Sequence, residues 1–190
     1  AYRGLGDYYK MEEFELKSLD FYKKIYGDSS PELIYSYLSL VVAYIELQEY
    51  EKAISYSNIA LAIAESKPDS VIARDMIDLY TNLGVCYSRI ADFSKAKIYL
   101  ERAESIHKRE HLDFDKNYIN LINSLGITYG SLGLNEKSVE YYESGVALAM
   151  SLPVNSTSSF NIVNSYAINL ANSGEAKKGE ALLRLVLVKA

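Results

Sequence analysis

The chain has 190 residues, 49% of them apolar and 24% charged, with 10 Gly, 3 Pro and 1 Cys. Collagen-like, disulfide-stapled and charge-driven disordered chains are excluded, and at this length roughly 70% of the unfolded surface can be buried, so the core needs no metal or cystine. The formal charge of −5 divides as 15 acids against 10 bases in residues 1–95 and 10 against 10 in residues 96–190, and no basic stripe invites a nucleic acid or an anionic membrane.

No apolar run reaches the ~20 residues of a membrane span, and the opening Ala1-Tyr2-Arg3-Gly4 is no signal peptide. The single cysteine, Cys86, fits a reducing compartment, so the expected location is cytoplasmic.

One pattern recurs along the chain. Leu40-Val41-Val42-Ala43-Tyr44, Leu83-Gly84-Val85-Cys86-Tyr87 and Leu125-Gly126-Ile127-Thr128-Tyr129 are each followed, nine residues after the Tyr, by Ala53, Ala96 and Ser138. Weaker copies flank them, Leu5-Gly6-Asp7-Tyr8-Tyr9 with Ser18 and Tyr166-Ala167-Ile168-Asn169-Leu170 with Gly179. The anchors Tyr9, Tyr44, Tyr87, Tyr129 and Leu170 stand 35, 43, 42 and 41 residues apart, which predicts five units at about 1–28, 29–67, 68–112, 113–152 and 153–190 in one repeat domain.

Each unit reads as two helices. The first unit lacks most of the front of its first helix, and Glu12, Glu13 and Glu15 flank a helix start, where acids are favoured. In the second, Ile34, Tyr37, Leu38, Val41, Tyr44 and Ile45 mark one helix and Ala53, Ile54, Ala60, Leu61 and Ala64 the next, with Ser30-Pro31 as N-cap and first-turn proline. Asp92 and Asn135 can cap the second helices of units three and four, and Gly27, Gly133 and Gly174 sit where a helix must stop in a left-handed residue. Gly84, Gly126, Ala53, Ala96 and Ala60 predict close helix crossings, where a larger side chain would push the axes apart.

The set Leu83-Gly84-Tyr87-Ala96 resembles the tetratricopeptide repeat (TPR), and the long period of 41 to 43 residues is similar to the kinesin light chain type of that repeat. The resemblance implies an all-α, right-handed α-α superhelix (solenoid) of about five helix-turn-helix units, with the first helices lining a concave face. In this sequence Val41 replaces the Gly, and Ser138 and Gly179 replace the Ala. The incomplete first unit, and a last helix that presents Leu182, Leu185 and Val186 without a polar cap, predict a fragment of a longer array, able to self-associate through its ends.

The residues that could carry catalysis or bind a metal have plainer readings. His107 and His111 stand four apart, but a zincin needs Glu where Lys108 stands, and the charged end of a helix explains the segment. Cys86, between Val85 and Tyr87, reads as a buried inert thiol. Asn155-Ser156-Thr157 matters as a glycosylation acceptor only in a secreted protein. The sequence holds no phosphate loop and implies no cofactor, no metal and no enzyme.

One constellation has no such explanation. Asn82, Asn123 and Asn164 recur at 41 and 41, and Asn120 to Asn161 and Ser124 to Ser165 keep the same step, although Asn82 lies one residue nearer its Leu-Gly pair than Asn123 does. Asn is a poor helix-interior residue, so its repeated use calls for a reason. An amide donates and accepts at once, which suits the backbone of an extended guest peptide; it suits equally a hydrogen bond between neighbouring helices. Peptide-binding members of the family use inward Asn residues to hold the guest's main chain. The carboxylate clamp of chaperone-binding members is absent, since its places hold Arg3, Asp7, Leu38, Val42, Thr81 and Val85. A neutral groove floored by Val42, Val85, Ile127 and Ile168 fits a guest with apolar anchors. The leading expectation is a non-catalytic scaffold binding a protein or peptide segment. The alternatives are the peptide-sensing arm of a regulator and an assembly subunit associating through its ends or convex face.

Overall fold

The structure, a computed structural model, describes residues 2–67, 71–151 and 157–187, and the regular elements among them are all helical. Helix α1 spans Tyr2–Tyr26; after a 3-10 turn at Pro31–Leu33 come α2 (Ile34–Glu46), α3 (Tyr50–Ser66), α4 (Ala73–Arg89) and α5 (Phe93–Arg109). Then follow α6 (Lys116–Ser131), α7 (Asn135–Ser151), α8 (Thr157–Asn172) and α9 (Ala176–Leu187). The chain divides into two compact units, residues 1–110 with α1 to α5 and residues 111–190 with α6 to α9.

Helices pair because one turn is used four times. At the end of α2 the N–H of Gln48 donates to the Ile45 carbonyl at 3.0 Å and that of Glu49 to the Tyr44 carbonyl at 2.8 Å. The same two bonds start from Ala91 and Asp92, from Gly133 and Leu134, and from Gly174 and Glu175. This closure satisfies the last carbonyls of a helix and requires a residue in the left-handed region. Gly133 and Gly174 supply it at φ 74° and 87°, whereas Gln48 and Ala91 hold φ 62° without glycine's freedom. Asp92 then caps α5 by accepting the Lys95 N–H at 3.2 Å, while Asn135 is the first residue of α7 itself.

The aromatic anchors are explained by what stands above the turn. Tyr44, Tyr87 and Tyr129 each stack on a tyrosine twelve residues on, Tyr56, Tyr99 and Tyr141, with ring centroids 5.4 Å apart in all three pairs. Lys52, Lys95 and Lys137 each lie 5.1 Å over the first ring. The anchor therefore closes the turn with its carbonyl and joins the two helices with its ring.

Behind the stacks lies buried apolar packing in each unit. In unit 1 Leu33, Tyr37, Leu40, Val41, Ala60, Leu79 and Cys86 pack together; in unit 2 Ile119, Ile122, Tyr142, Val146 and Ile162 do. The small residues have the expected role. A Cβ on Gly84 would stand 2.4 Å from Leu100 Cγ, one on Gly126 2.8 Å from Tyr142 Cε1, and one on Gly179 2.7 Å from the Ala167 carbonyl oxygen. Gly179 thus replaces the motif's Ala because α8 and α9 leave no room for a methyl group.

The first unit departs from the expected pair. Residues 2–26 form one continuous helix, because Lys10-Met11-Glu12-Glu13 at the place of the turn are all good helix formers. The three glutamates therefore lie within α1 and not at its start: Glu12 accepts the Tyr44 hydroxyl at 2.8 Å, Glu13 pairs with Lys17, and Glu15 is buried. At the other end Leu182 packs against the core of unit 2 and is not left open; the side chains of Leu185 and Val186 lie outside the described residues.

Candidate functional site

In unit 2 the first helices of the two pairs, α6 and α8, leave an open cleft of about 910 Å³ with α7 as its back. Ile127, Gly130 and Ser131 line it from α6, Asn135, Glu136, Val139 and Tyr142 from α7, and Ser165, Ile168, Asn169 and Asn172 from α8; Ser173 and Glu175 close one end. Ile127 and Ile168 are 39% and 54% exposed, so an apolar face stands open to solvent where a globular interior would cover it.

The polar base of the cleft is built from three residues. Gly130 has no side chain, and a Cβ there would stand 3.0 Å from Ser138 Oγ and 3.2 Å from Asn169 Nδ2. Ser138 is fully buried, donates its hydroxyl to the Gly126 carbonyl at 2.8 Å, and accepts Asn169 Nδ2 at 3.4 Å. Other pairs carry Ala53, Ala96 and Gly179 at the place of Ser138, so this polar base is particular to α6, α7 and α8. Tyr142, beneath the cleft, stacks on Tyr166 at 5.4 Å, and burial pushes its phenol above the ordinary tyrosine range.

Two residues read from the sequence, Ile127 and Ile168, meet in this cleft together with Ser165. The amides lie elsewhere on the same helices. Asn120 and Asn161 are exposed, Asn123 and Asn164 are half-buried, and none of the four lines the cleft. Asn123 Oδ1 is enclosed with no hydrogen-bond partner. In unit 1 Asn82 and Val85 are half-buried on α4, and Val42 is exposed on α2. In register with Asn123 stands Thr81, one residue before Asn82, and its Oγ1 is likewise enclosed and unpartnered.

Sequence reasoning missed Asn169 and Asn172. Their counterparts one repeat earlier are Thr128 and Ser131, so the rows existed at the same step of 41 but in mixed polar types, and a search for identical residues passes over them. It also read the groove as neutral. The cleft carries Glu136 and Glu175 and no Lys, Arg or His.

The remaining chemistry-bearing residues are accounted for by packing. Helix α5 ends at Arg109, so His111, at φ 49°, stands outside the helix that buries His107, and the two imidazoles share no helical face. Burial pushes the Cys86 thiol up to about 12, which keeps it protonated. Among the described residues no three His, Cys, Asp or Glu gather to hold a metal, and no helix is long and apolar enough to cross a membrane. Of the glycosylation tripeptide, Asn155 and Ser156 lie outside the described residues.

Helical pairs closed by one repeated turn, with an open face along the first helices, define an all-α helical-repeat protein. A model of the tetratricopeptide repeat matches residues 34–67, 77–108 and 119–149, and the chain belongs to that family. Among solved structures it is similar to the nearly identical TPR-like repeats of a Podosopora anserina protein designated a kinesin light chain, at 18% identity and a TM-score of 0.75, over 98% of this chain and 88% of that one. BtubC (BKLC) from P. vanneervenii follows at 16% identity and TM-score 0.71, over 100% of this chain and 74% of the other. A Rap protein complexed with competence and sporulation factor shares 16% identity at TM-score 0.66, over 98% of this chain and 59% of its own. At these identities the likeness is one of fold. No curated protein matches the chain. None of these comparisons indicates a catalytic family.

Proposed function

We propose that this chain is a non-catalytic scaffold that holds an extended segment of a partner protein along the faces of its first helices, with the unit 2 cleft as a principal seat. The observation that carries the reading is the open juxtaposition of Ile127 and Ile168 with Ser165, Asn169 and Asn172: apolar anchors beside amides, on rigid helices, in a space of about 910 Å³. Asn120, Asn123, Asn161 and Asn164 extend the polar face along α6 and α8, and Asn82 and Val85 offer contacts of the same kind on α4. Asn123 Oδ1 makes no hydrogen bond to a neighbouring helix, so that oxygen is not a tie between helices. The neighbour solved with competence and sporulation factor lends the fold a precedent for factor binding. A buried, unpaired cysteine supports action in the cytoplasm.

The test is a paired one. A partner captured on the full chain is mapped by hydrogen exchange, and its affinity and the unfolding midpoint are measured on Asn123→Ala/Asn164→Ala. Protection in α6 and α8, and an affinity loss of about tenfold from two hydrogen bonds with a nearly unmoved midpoint, are expected. A double variant that melts much earlier yet binds normally once folded would leave the two amides as mortar between helices.

A second reading has its own observation. Phe14, Phe21 and Ile25 stand on one face of α1, exposed at 70%, 60% and 54%, which favours association of copies through that end.

A further inference from the structure

The lining residues of the unit 2 cleft include two carboxylates and no cationic side chain, and its polar base fixes the direction of the central amide. Ser138 has one hydroxyl proton, and it goes to the Gly126 carbonyl at 2.8 Å. Toward Asn169 the serine can therefore only accept, so Nδ2 of that amide is turned inward, at 3.4 Å, and Oδ1 is the atom left to face a guest. The absence of a side chain on Gly130 keeps this spot open. Glu136 and Glu175 line the same cleft as Asn169. Glu175 is joined to Lys178, which does not line the cleft, and Glu136 stands exposed in the first turn of α7. Acids are favoured at helix N-termini in any case. That preference accounts for neither the inward-locked Asn169 nor the lack of Lys, Arg and His among the lining residues.

We infer that the unit 2 cleft selects a peptide segment carrying a lysine or arginine next to an aliphatic residue: the aliphatic side chain covers Ile127 and Ile168, and the cationic head lies among Asn169 Oδ1, Glu136 and Glu175. A cation with several N–H donors meets acceptors that a carboxylate guest would meet with repulsion and unpaired lone pairs. This rests on the peptide-holding reading above and names the guest it admits.

The experiment selects binders from a random dodecapeptide display library on the full chain at physiological salt. The enriched peptides are then measured by fluorescence anisotropy against the unaltered protein, Glu136→Gln, Glu136→Gln/Glu175→Gln and Ile168→Asp, each checked for an unchanged helical spectrum. The expected pool carries Lys or Arg beside Leu, Ile or Val, loses binding to Ile168→Asp, and weakens about tenfold on the double glutamine variant, as expected for loss of charge-assisted bonds. Glu136→Gln leaves the Lys178 ion pair intact and should give part of that loss, which keeps the inference testable should the double variant fold poorly. An enriched pool that is acidic or uncharged, or that binds both glutamine variants undiminished while still needing Ile168, overturns the cationic guest and leaves the peptide-holding reading standing. If no peptide is enriched, or binding ignores Ile168→Asp, the cleft itself is not a peptide seat and both readings fall.

Discussion

Replacing Gly126 by Leu tests the crossing on which the cleft is built. A Cβ at this position would lie 2.8 Å from Tyr142 Cε1 and 3.0 Å from both Cδ1 and Cζ, well inside ordinary contact. The ring has little freedom to withdraw, for it is 3% exposed and stacked on Tyr166. Gly126→Ala already sets that one carbon against a ring that cannot withdraw, so the ~1 kcal/mol regained in helix propensity offsets the overlap only in part and the variant should be mildly destabilised. Gly126→Leu adds three more atoms to the same space, and overpacking of about 1–3 kcal/mol then outweighs the propensity gain. A net loss of roughly 1 kcal/mol, with a urea slope of about 2 kcal/mol/M, lowers the unfolding midpoint by ~0.5 M. Urea titration followed by circular dichroism reads the shift, and hydrogen exchange should quicken in α6 and α7 first. A Leu variant that keeps the midpoint of the unaltered chain would mean that α6 and α7 do not cross closely at Gly126, and the cleft geometry derived from Tyr142 would fall with it.

Ala91 holds φ 62° where two sister turns use glycine, so Ala91→Gly should raise stability by ~0.5–1 kcal/mol in the same titration, and a loss would show the turn relaxed. Burial raises the Cys86 thiol from 9.0 to about 12, so the folded chain keeps a proton that the unfolded chain releases. Its contribution is whole below pH 9 and is lost as the pH rises through about 12; melts taken across that range should fall less steeply in Cys86→Ala than in the unaltered protein, and parallel curves would refute the assignment. Phe14→Lys/Phe21→Lys should convert any dimer seen by sedimentation to monomer with the helical spectrum unchanged, and an unaffected dimer would exclude the α1 face.

How far the chain could be read from its letters depends on whether a feature repeats as an identity or as a role. Tyr44, Tyr87 and Tyr129 repeat as identities, because a ring that closes a turn with its carbonyl and stacks on a second tyrosine admits few substitutes; the period and the helical pairs followed from them. The left-handed position repeats only as a role. Glycine announces it at Gly133 and Gly174, but Gln48 and Ala91 take the same backbone under the pull of the same two hydrogen bonds, and nothing in their side chains signals it. The first unit erred in the opposite sense: Tyr9, Lys17 and Phe21 keep the spacing of Tyr44, Lys52 and Tyr56, yet a run of good helix formers carries α1 straight through the place of the turn, leaving Tyr9 and Phe21 exposed on one helix.

The cleft obeys the same division. Ile127 and Ile168 are identical and were found, whereas Asn169 answers to Thr128 and is recognised only once Ser138 is seen to turn its amide. Such a site is poorly legible because its chemistry is made by difference from its sister repeats. Ser138 where they have Ala53 and Ala96, and Gly130 where they have Ile45 and Ser88, open one polar pocket in an otherwise repeated frame. Repetition sets the stack, and the departures from it at Gly130, Ser138 and Asn169 are where a guest would be told apart from its competitors.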